Sequence, residues 1–462
     1  MPHDNAGRIR DQIQLLRQAP RLPFSDLLDP TLVRDALHEE AVRFRDRLYT
    51  PMVTLWVFLS QVLSPDHSCR EAVSRLIAHL VAGARRPCSA DTASYCEARK
   101  RLPTGVLRRL CRRTADVLDQ QAPPAWLWKG RPVVIVDGTT VSMPDTPANQ
   151  RAFPQAGTQA EGVGFPIARL VAVVSLATGV IRDLAIGPYK GKETGENSLF
   201  RSTWDRLDAG AVVLGDRHFG SYLGIAPLAS RGVDGLYRMH QRRKFDFRRG
   251  RRLGVGDHVV RWAKPARPDW MDEASYDRLA ADLAVREIRV RIEEPGFRVE
   301  EVVLATTLLD AAAYPKEDLA DLYFWRWNIE LDIRSIKCAM GMDVLRCKDP
   351  EMVEKEAWAH ALAYNLVRGL IAAAAEEHAR EPRRLSFKGA LQALGAFGDA
   401  LRLGRPGRRE CLVEELLRAI ATHEVGDRPG RVEPRAIKRR PKPHKLLNEP
   451  RKAARKRLLG RS

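Results

Sequence analysis

Nowhere in its 462 residues does the chain hold about 18 uninterrupted apolar residues, the length of a membrane-spanning helix. Its best apolar stretches, 54–63 and 370–375, are too short. The first residues, Met-Pro-His-Asp-Asn-Ala-Gly-Arg, lack the apolar segment of a secretory leader. The seven cysteines (Cys69, Cys88, Cys96, Cys111, Cys338, Cys347 and Cys411) are odd in number, and no two stand at C-x-x-C spacing. That argues against a zinc ribbon and a disulfide framework and leaves reduced thiols. Acidic residues are also short, 58 Asp+Glu against 77 Lys+Arg, for a net charge of +19. An excess of this size implies a polyanionic partner. Together these absences predict a cytoplasmic, nucleoid-associated protein that binds nucleic acid and no membrane.

The length exceeds one ordinary core and predicts roughly two to four domains. With 44% hydrophobic and 29% charged residues, the chain is of globular composition. Residues 1–125 read as a helical N-terminal region. Its 54–63 helix stops before Ser64-Pro65, Ser68 caps a second helix, Ser89 or Asp91 a third that runs into Pro103, and 106–120 forms a fourth. The arginines of this region suit DNA, and its apolar faces equally suit packing. From 126 to 239 the period changes. Val133-Val134-Ile135-Val136 is the continuous β-branched run of a strand buried on both faces. Further strands at 167–176, 180–186, 211–214 and 235–239, with helices at 196–207 and 221–230, give the order β-β-β-α-β-α-β. That order predicts an α/β fold with an RNase H-like mixed-sheet core.

Residues 240–305 predict a β-rich insertion, with strands at 287–292 and 301–305 around Pro295-Gly296. Its first residues, Arg242, Arg243, Lys244, Arg248 and Arg249, alternate with Phe245 and Phe247 and are candidates for DNA contact. Helices follow at 306–375, returning to the core, and at 376–430. From 431 to 462 there are thirteen Lys/Arg, two Glu and four Pro, a net of +11. This composition predicts a disordered tail that neutralises phosphates.

Two buried strands end in an aspartate, Asp137 and Asp216. A carboxylate there is costly unless paired or bound to a cation, and strand ends are where sites assemble in open α/β sheets. Taken alone, each is more commonly the cap of a turn or helix. A helix from Leu319 past Lys337 supplies a third acid, Glu330. At ~100° per residue, Tyr323, Arg326, Glu330 and Lys337 fall at about 0°, −60°, −20° and −40°, a narrow polar stripe beside an apolar face. An Arg326–Glu330 surface pair explains two of these four residues. Three converging carboxylates suit hard divalent cations, Mg2+ or Mn2+. Two such ions at about 3.5–4 Å serve phosphodiester chemistry, with Tyr323, Arg326 and Lys337 donating to phosphate oxygens.

The spacing Tyr323-x2-Arg326-x3-Glu330-x6-Lys337 resembles the Y-R-E-K signature of the IS-four family of insertion-sequence transposases. Val136-Asp137-Gly138-Thr139 and Gly215-Asp216-Arg217-His218-Phe219 resemble that family's two aspartate motifs. The resemblance covers roughly 90–370. It implies a DDE transposase whose catalytic, metal-holding residues are Asp137, Asp216 and Glu330. It further implies double-stranded DNA partners (terminal inverted repeats and target), two ions per site, a hairpin intermediate and a homodimer on DNA. Some family members use an insertion tryptophan to hold a flipped base, for which Trp262 and Trp270 are candidates against the plainer reading of buried structural residues. The remaining alternatives are another RNase H-like nuclease and a decayed or domesticated copy that only binds DNA.

Overall fold

The computed structural model describes residues 28–44, 47–240, 242–291, 301–403, 406–426 and 445–460. Five helices precede the sheet among these residues: α1 (Pro30–Glu39), α2 (Pro51–Leu63), α3 (Cys69–Ala82), α4 (Ala93–Arg101) and α5 (Thr104–Gln120). Their starts follow local rules. Thr50 and Ser68 accept hydrogen bonds from the first-turn amides of α2 and α3, and Pro51 sits where a helix spares an amide. α4 departs from expectation: it is entered at Thr92 with no side-chain cap, while Asp91 accepts from the Ala93 amide.

The first three strands are β1 (Val133–Ser142), β2 (Ile167–Ser175) and β3 (Ile181–Pro188), with a short helix α6 (Pro147–Ala152) between β1 and β2. After them come α7 (Glu196–Arg201), β4 (Val212–Gly215), α8 (Tyr222–Ala229) and β5 (Asp234–Arg238). β1 runs antiparallel to β2 and parallel to β4, and β4 runs parallel to β5. The order β3-β2-β1-β4-β5 is the RNase H-like arrangement. Alternation along β1 splits its side chains between two cores. Val134 and Val136 join Phe200, Trp204 and Ile225 on one face. Val133, Ile135 and Val141 join the apolar residues of α2, α5 and a long later helix on the other.

The β-rich insertion is an extension of this same sheet. β6 (Arg251–Gly254), β7 (Asp257–Ala263), β8 (Asp282–Arg291) and β9 (Glu301–Thr306) continue it in the order β5-β9-β8-β7-β6, nine strands in all. β9 pairs antiparallel with β5, Tyr237 opposite Ala305. Gly256, at φ +64, turns the chain between β6 and β7. A short helix α9 (Glu273–Asp277) lies between β7 and β8.

The helix expected past Lys337 is present but not uniformly wound. α10 (Lys316–Phe324) passes into a 3-10 turn (Trp325–Trp327), then α11 (Asn328–Arg334), then a π turn (Ser335–Ala339). Next, α12 (Pro350–Glu377) runs 28 residues and is buried over most of its circumference. It packs against α2, α5 and the later helices α13 (Phe387–Leu403) and α14 (Pro406–Thr422). Leu55, Phe58, Leu107 and Leu110 share its core, so the N-terminal helices are built onto the sheet and α12. Arg99, in the basic end of α4, is buried against the rings of Phe58 and Tyr95 rather than offered to solvent.

The tail departs from the disorder expected of it. Residues 431–444 lie outside the described residues, but α15 (Arg451–Leu459) is a helix starting after Pro450. All seven cysteines are free thiols, and the sulfurs of Cys69 and Cys96 lie 3.8 Å apart. No described helix is long and apolar enough to cross a membrane.

Candidate active site

Asp137 lies within β1, opposite Ala172 of β2, and continues the face that carries Ile135. Asp216 follows the last residue of β4, where its carboxylate accepts from the His218 amide at 2.7 Å. That bond is the turn cap, yet the residue also opens onto a cavity. Glu330 lies on α11, which packs against β1. The three carboxylates line one cavity of about 240 Å³ together with Arg217, Arg238, Tyr323 and Arg326.

Arg326 sits among the acids. Its guanidinium donates to Glu330 at 3.2 Å and lies 3.8 Å from Asp137. Burial opposes its charge, but Tyr323, Glu330 and Asp137 outweigh that and raise its pKa. Burial pushes the Asp137 carboxyl up to about 6, with Asp216 and Glu196 adding repulsion and the Gly138 amide and Arg326 offsetting part of it. Burial also pushes the Tyr323 hydroxyl up to about 12. Asp137 is therefore an under-compensated buried acid, the condition that a hard cation relieves. The donor set of Asp137, Asp216 and Glu330, all carboxylate oxygens, fits Mg2+ or Mn2+. As they stand, no three acidic, His or Cys side chains among the described residues converge closely enough to hold an ion.

Tyr323, Arg326 and Glu330 are thus brought together. Lys337 is not among the residues lining the cavity. Its ammonium donates to Thr139 Oγ1 at 3.1 Å and the Thr140 carbonyl at 2.8 Å, on β1 just beyond Asp137. The 3-10 turn explains how Tyr323 meets Arg326. At three residues per turn the two side chains align, where a regular helix would leave them about 60° apart. The guanidinium lies 5.9 Å from the Tyr323 ring centre.

The basic stretch divides. Arg242 and Lys244 are exposed, and Arg248 and Arg249 are exposed beside Asp246. Arg243 is half-buried, its guanidinium 3.5 Å from the Trp262 ring centre. With Arg217, Arg238 and His240 it lines a second recess of about 150 Å³, which shares Arg217 and Arg238 with the acidic cavity. Trp262 is 3% exposed and donates its Nε1 hydrogen to Glu287 at 2.9 Å, so it is a satisfied core residue. Trp270 is half-buried, with the Arg201 guanidinium 3.9 Å above its ring.

Three features escaped the sequence. Arg238 ends β5, the parallel neighbour of β4, so the rule that sites gather at strand ends would have found it. Trp325 and Trp327, flanking Arg326, are 44% and 52% exposed, unusual for tryptophan and visible only once the helix is seen to tighten there. The Glu196 carboxylate packs against Gly138, where any side chain would overlap it, and neither residue carries a motif that announces this.

The profile of the family described as "Transposase DDE domain" matches residues 128–366, just over half of the chain. The transposase InsG for insertion sequence element IS4 of Escherichia coli (strain K12) is 29% identical over 433 residues, covering 91% of this chain and 93% of that protein. The putative transposase InsL for insertion sequence element IS186A of the same organism is 38% identical over 69 residues, 15% of this chain and 19% of its own. A solved structure titled as the cryo-EM structure of piggyBac transposase synaptic complex with hairpin DNA overlaps 87% of this chain and 85% of its own. That overlap has a TM-score of 0.42 and 10% identity, a loose likeness on which nothing below rests.

Proposed function

The chain belongs to the transposase DDE domain family, and we propose from that premise that it cleaves the ends of its element and joins the freed 3′ ends to target DNA. The observation that carries the reading is the single cavity in which Asp137, Asp216 and Glu330 meet Tyr323, Arg326, Arg217 and Arg238. Acids and cations in one cleft match a phosphodiester, whose charge needs cations on its oxygens and whose reaction needs an activated attacking oxygen.

In this reading Asp137, Asp216 and Glu330 hold two divalent cations, Mg2+ or Mn2+. Bound there, the ions supply activation of the attacking water or 3′-hydroxyl and stabilisation of the departing oxygen. Arg326 and Tyr323 orient the scissile phosphate. Arg217, Arg238 and Arg243 carry the strand through the adjoining recess. Arg242, Lys244, Arg248 and Arg249 add backbone contacts along the same edge. Lys337 reaches a phosphate from its seat on Thr139 and Thr140. Cleavage proceeds through a hairpin, and two copies act on the two ends as a homodimer on DNA, in the cytoplasm at the nucleoid.

The test is incubation of the purified chain with duplexes spanning the flanks of its own gene, with Mg2+, with Mn2+ and with chelator. The reading predicts a nick at the element's 3′ end, then a hairpin, in the metal lanes alone. Cleavage that persists in chelator, or stable end binding with no cleavage in either metal, contradicts it. The second of these outcomes is the one expected of a domesticated DNA-binding copy.

A further inference from the structure

Two residues beyond Glu330 on α11 stands a second carboxylate, Asp332. Two steps of about 100° place the two on nearly opposite sides of the helix. Glu330 faces the cavity, its side chain 40% exposed, while that of Asp332 is 3% exposed. Asp332 is held by three side chains from two elements. Tyr364 of α12 donates to it at 3.0 Å. Arg383, in a 3-10 turn after α12, donates at 2.7 and 3.2 Å. Arg368 of α12 pairs with it and also donates to the Tyr364 hydroxyl at 2.8 Å. Gly179, at φ +77 between β2 and β3, has no room for a side chain because both guanidiniums pack there.

Stability alone does not account for this cluster. Two buried guanidiniums on one carboxylate leave a net positive charge out of water, and apolar side chains commonly hold such a place as well or better. What the fork of an arginine adds is direction. α11 needs it, because its seven residues lie between a 3-10 turn and a π turn, so no regular helix carries its phase in from either end.

We propose that Asp332, gripped by Arg368 and Arg383, is a positioning residue that sets the rotation and depth of α11 and so delivers the Glu330 carboxylate to the cavity. This rests on the reading of Glu330 as a metal ligand, and it assigns a role outside the signature residues. Breaking the grip lets α11 turn and moves Glu330, while Arg217, Arg238 and Arg243 keep their places on other elements.

The experiment measures Mn2+ bound to the full chain on an end duplex, by electron paramagnetic resonance, for wild type, Glu330→Gln, Arg383→Gln, Tyr364→Phe and the double variant Glu330→Gln/Arg383→Gln. Arg383→Gln leaves Asp332 and Arg368 as a one-to-one pair and is the milder cut. It should weaken Mn2+ binding by about tenfold, the lower end of what loss of an outer partner of a metal ligand costs, with end binding unchanged. Tyr364→Phe should shift it less, in the same direction. On the Glu330→Gln background Arg383→Gln should add nothing, because its effect passes through Glu330. Unchanged Mn2+ affinity in folded Arg383→Gln overturns the proposal, as does a full effect that persists without Glu330. Should Arg383→Gln fail to fold, unchanged affinity in Tyr364→Phe overturns it. If Glu330→Gln itself binds Mn2+ as wild type does, it is the metal-site reading that fails.

Discussion

The acids of the β6–β9 extension and those of the cavity, within β1 and just after β4, are treated in opposite ways. In the extension, Asp257 takes a two-pronged grip from Arg286 at 2.8 and 2.6 Å, and Glu287 receives Trp262 at 2.9 Å and His258 at 3.0 Å. Every one of these carboxylates is buried and satisfied, as structural charges are. In the cavity, Asp137 has the amide of its own neighbour and an arginine at 3.8 Å, and its pKa is raised to about 6. The first group holds the extension of the sheet together. The second leaves under-compensated charge in the cavity. The difference sets satisfied structural acids apart from acids with the strain expected of a functional site, without reference to any motif.

The comparison breaks most visibly at Arg286, whose side chain is fully buried. Arg286→Met strands Asp257 and should cost about 3–5 kcal/mol of stability, read by denaturant unfolding. Adding Asp257→Leu should restore most of it. A loss below about 1 kcal/mol would show that the pair is not the structural member of the contrast.

The cavity should respond with the opposite sign. Asp137 binds its proton more tightly folded than unfolded, since its pKa rises from 3.8 to about 6. Below pH 4 both states are protonated and there is no penalty. Between about pH 4 and 6 the unfolded carboxyl ionises while the folded one holds its proton, so the penalty grows across that window and is complete above it. Asp137→Asn should therefore stabilise the metal-free protein by up to about 3 kcal/mol at pH 8 and by little at pH 4. Thermal unfolding of both proteins in chelator at the two pH values checks this, and an equal effect at both would refute it. Activity lost for stability gained is the expected exchange at a functional site.

The smallest effect concerns cations. Arg286 is fully paired, whereas α15 presents Arg451, Lys452, Arg455, Lys456 and Arg457 at its exposed surface. Truncation after Gly430 should flatten the salt dependence of DNA binding by roughly 0.9 for each phosphate that the tail no longer neutralises, leaving preference for the element's ends intact. Binding to end and scrambled duplexes across a salt series reads this. Erased end preference with unchanged scrambled-DNA binding would mean that the tail reads sequence.

Much of the fold was legible where one physical signal dominates. Val133 to Val136 announce a strand buried on both faces, but β1 runs on past Asp137 to Ser142, and only Asp216 stands at a strand end. β6 and β7 were not legible, because β6 is short and basic and β7 and β8 bury Asp257, His258, Arg286 and Glu287 as pairs. Polar residues that satisfy one another across strands erase the alternation that reveals a strand. The signature stripe was found with a regular-helix period, which foresees neither the 3-10 turn that aligns Tyr323 with Arg326 nor the π turn that seats Lys337 on β1. In the tail the prolines were counted as breakers. Pro450 instead precedes a run of Arg, Lys, Ala and Leu, all good helix formers.

The central claim is that the carboxylates of Asp137, Asp216 and Glu330 serve chemistry and not architecture or DNA affinity. Its most direct test is cleavage of an end duplex in Mg2+ by Asp137→Asn, Asp216→Asn and Glu330→Gln, with end binding measured on the same preparations. The account predicts that each variant binds ends as wild type does and loses cleavage by about a thousandfold or more, the several kcal/mol that metal-assisted charge stabilisation supplies. Near-normal cleavage by any one of the three would contradict it for that residue, and loss of binding in step with loss of cleavage would contradict it for the site.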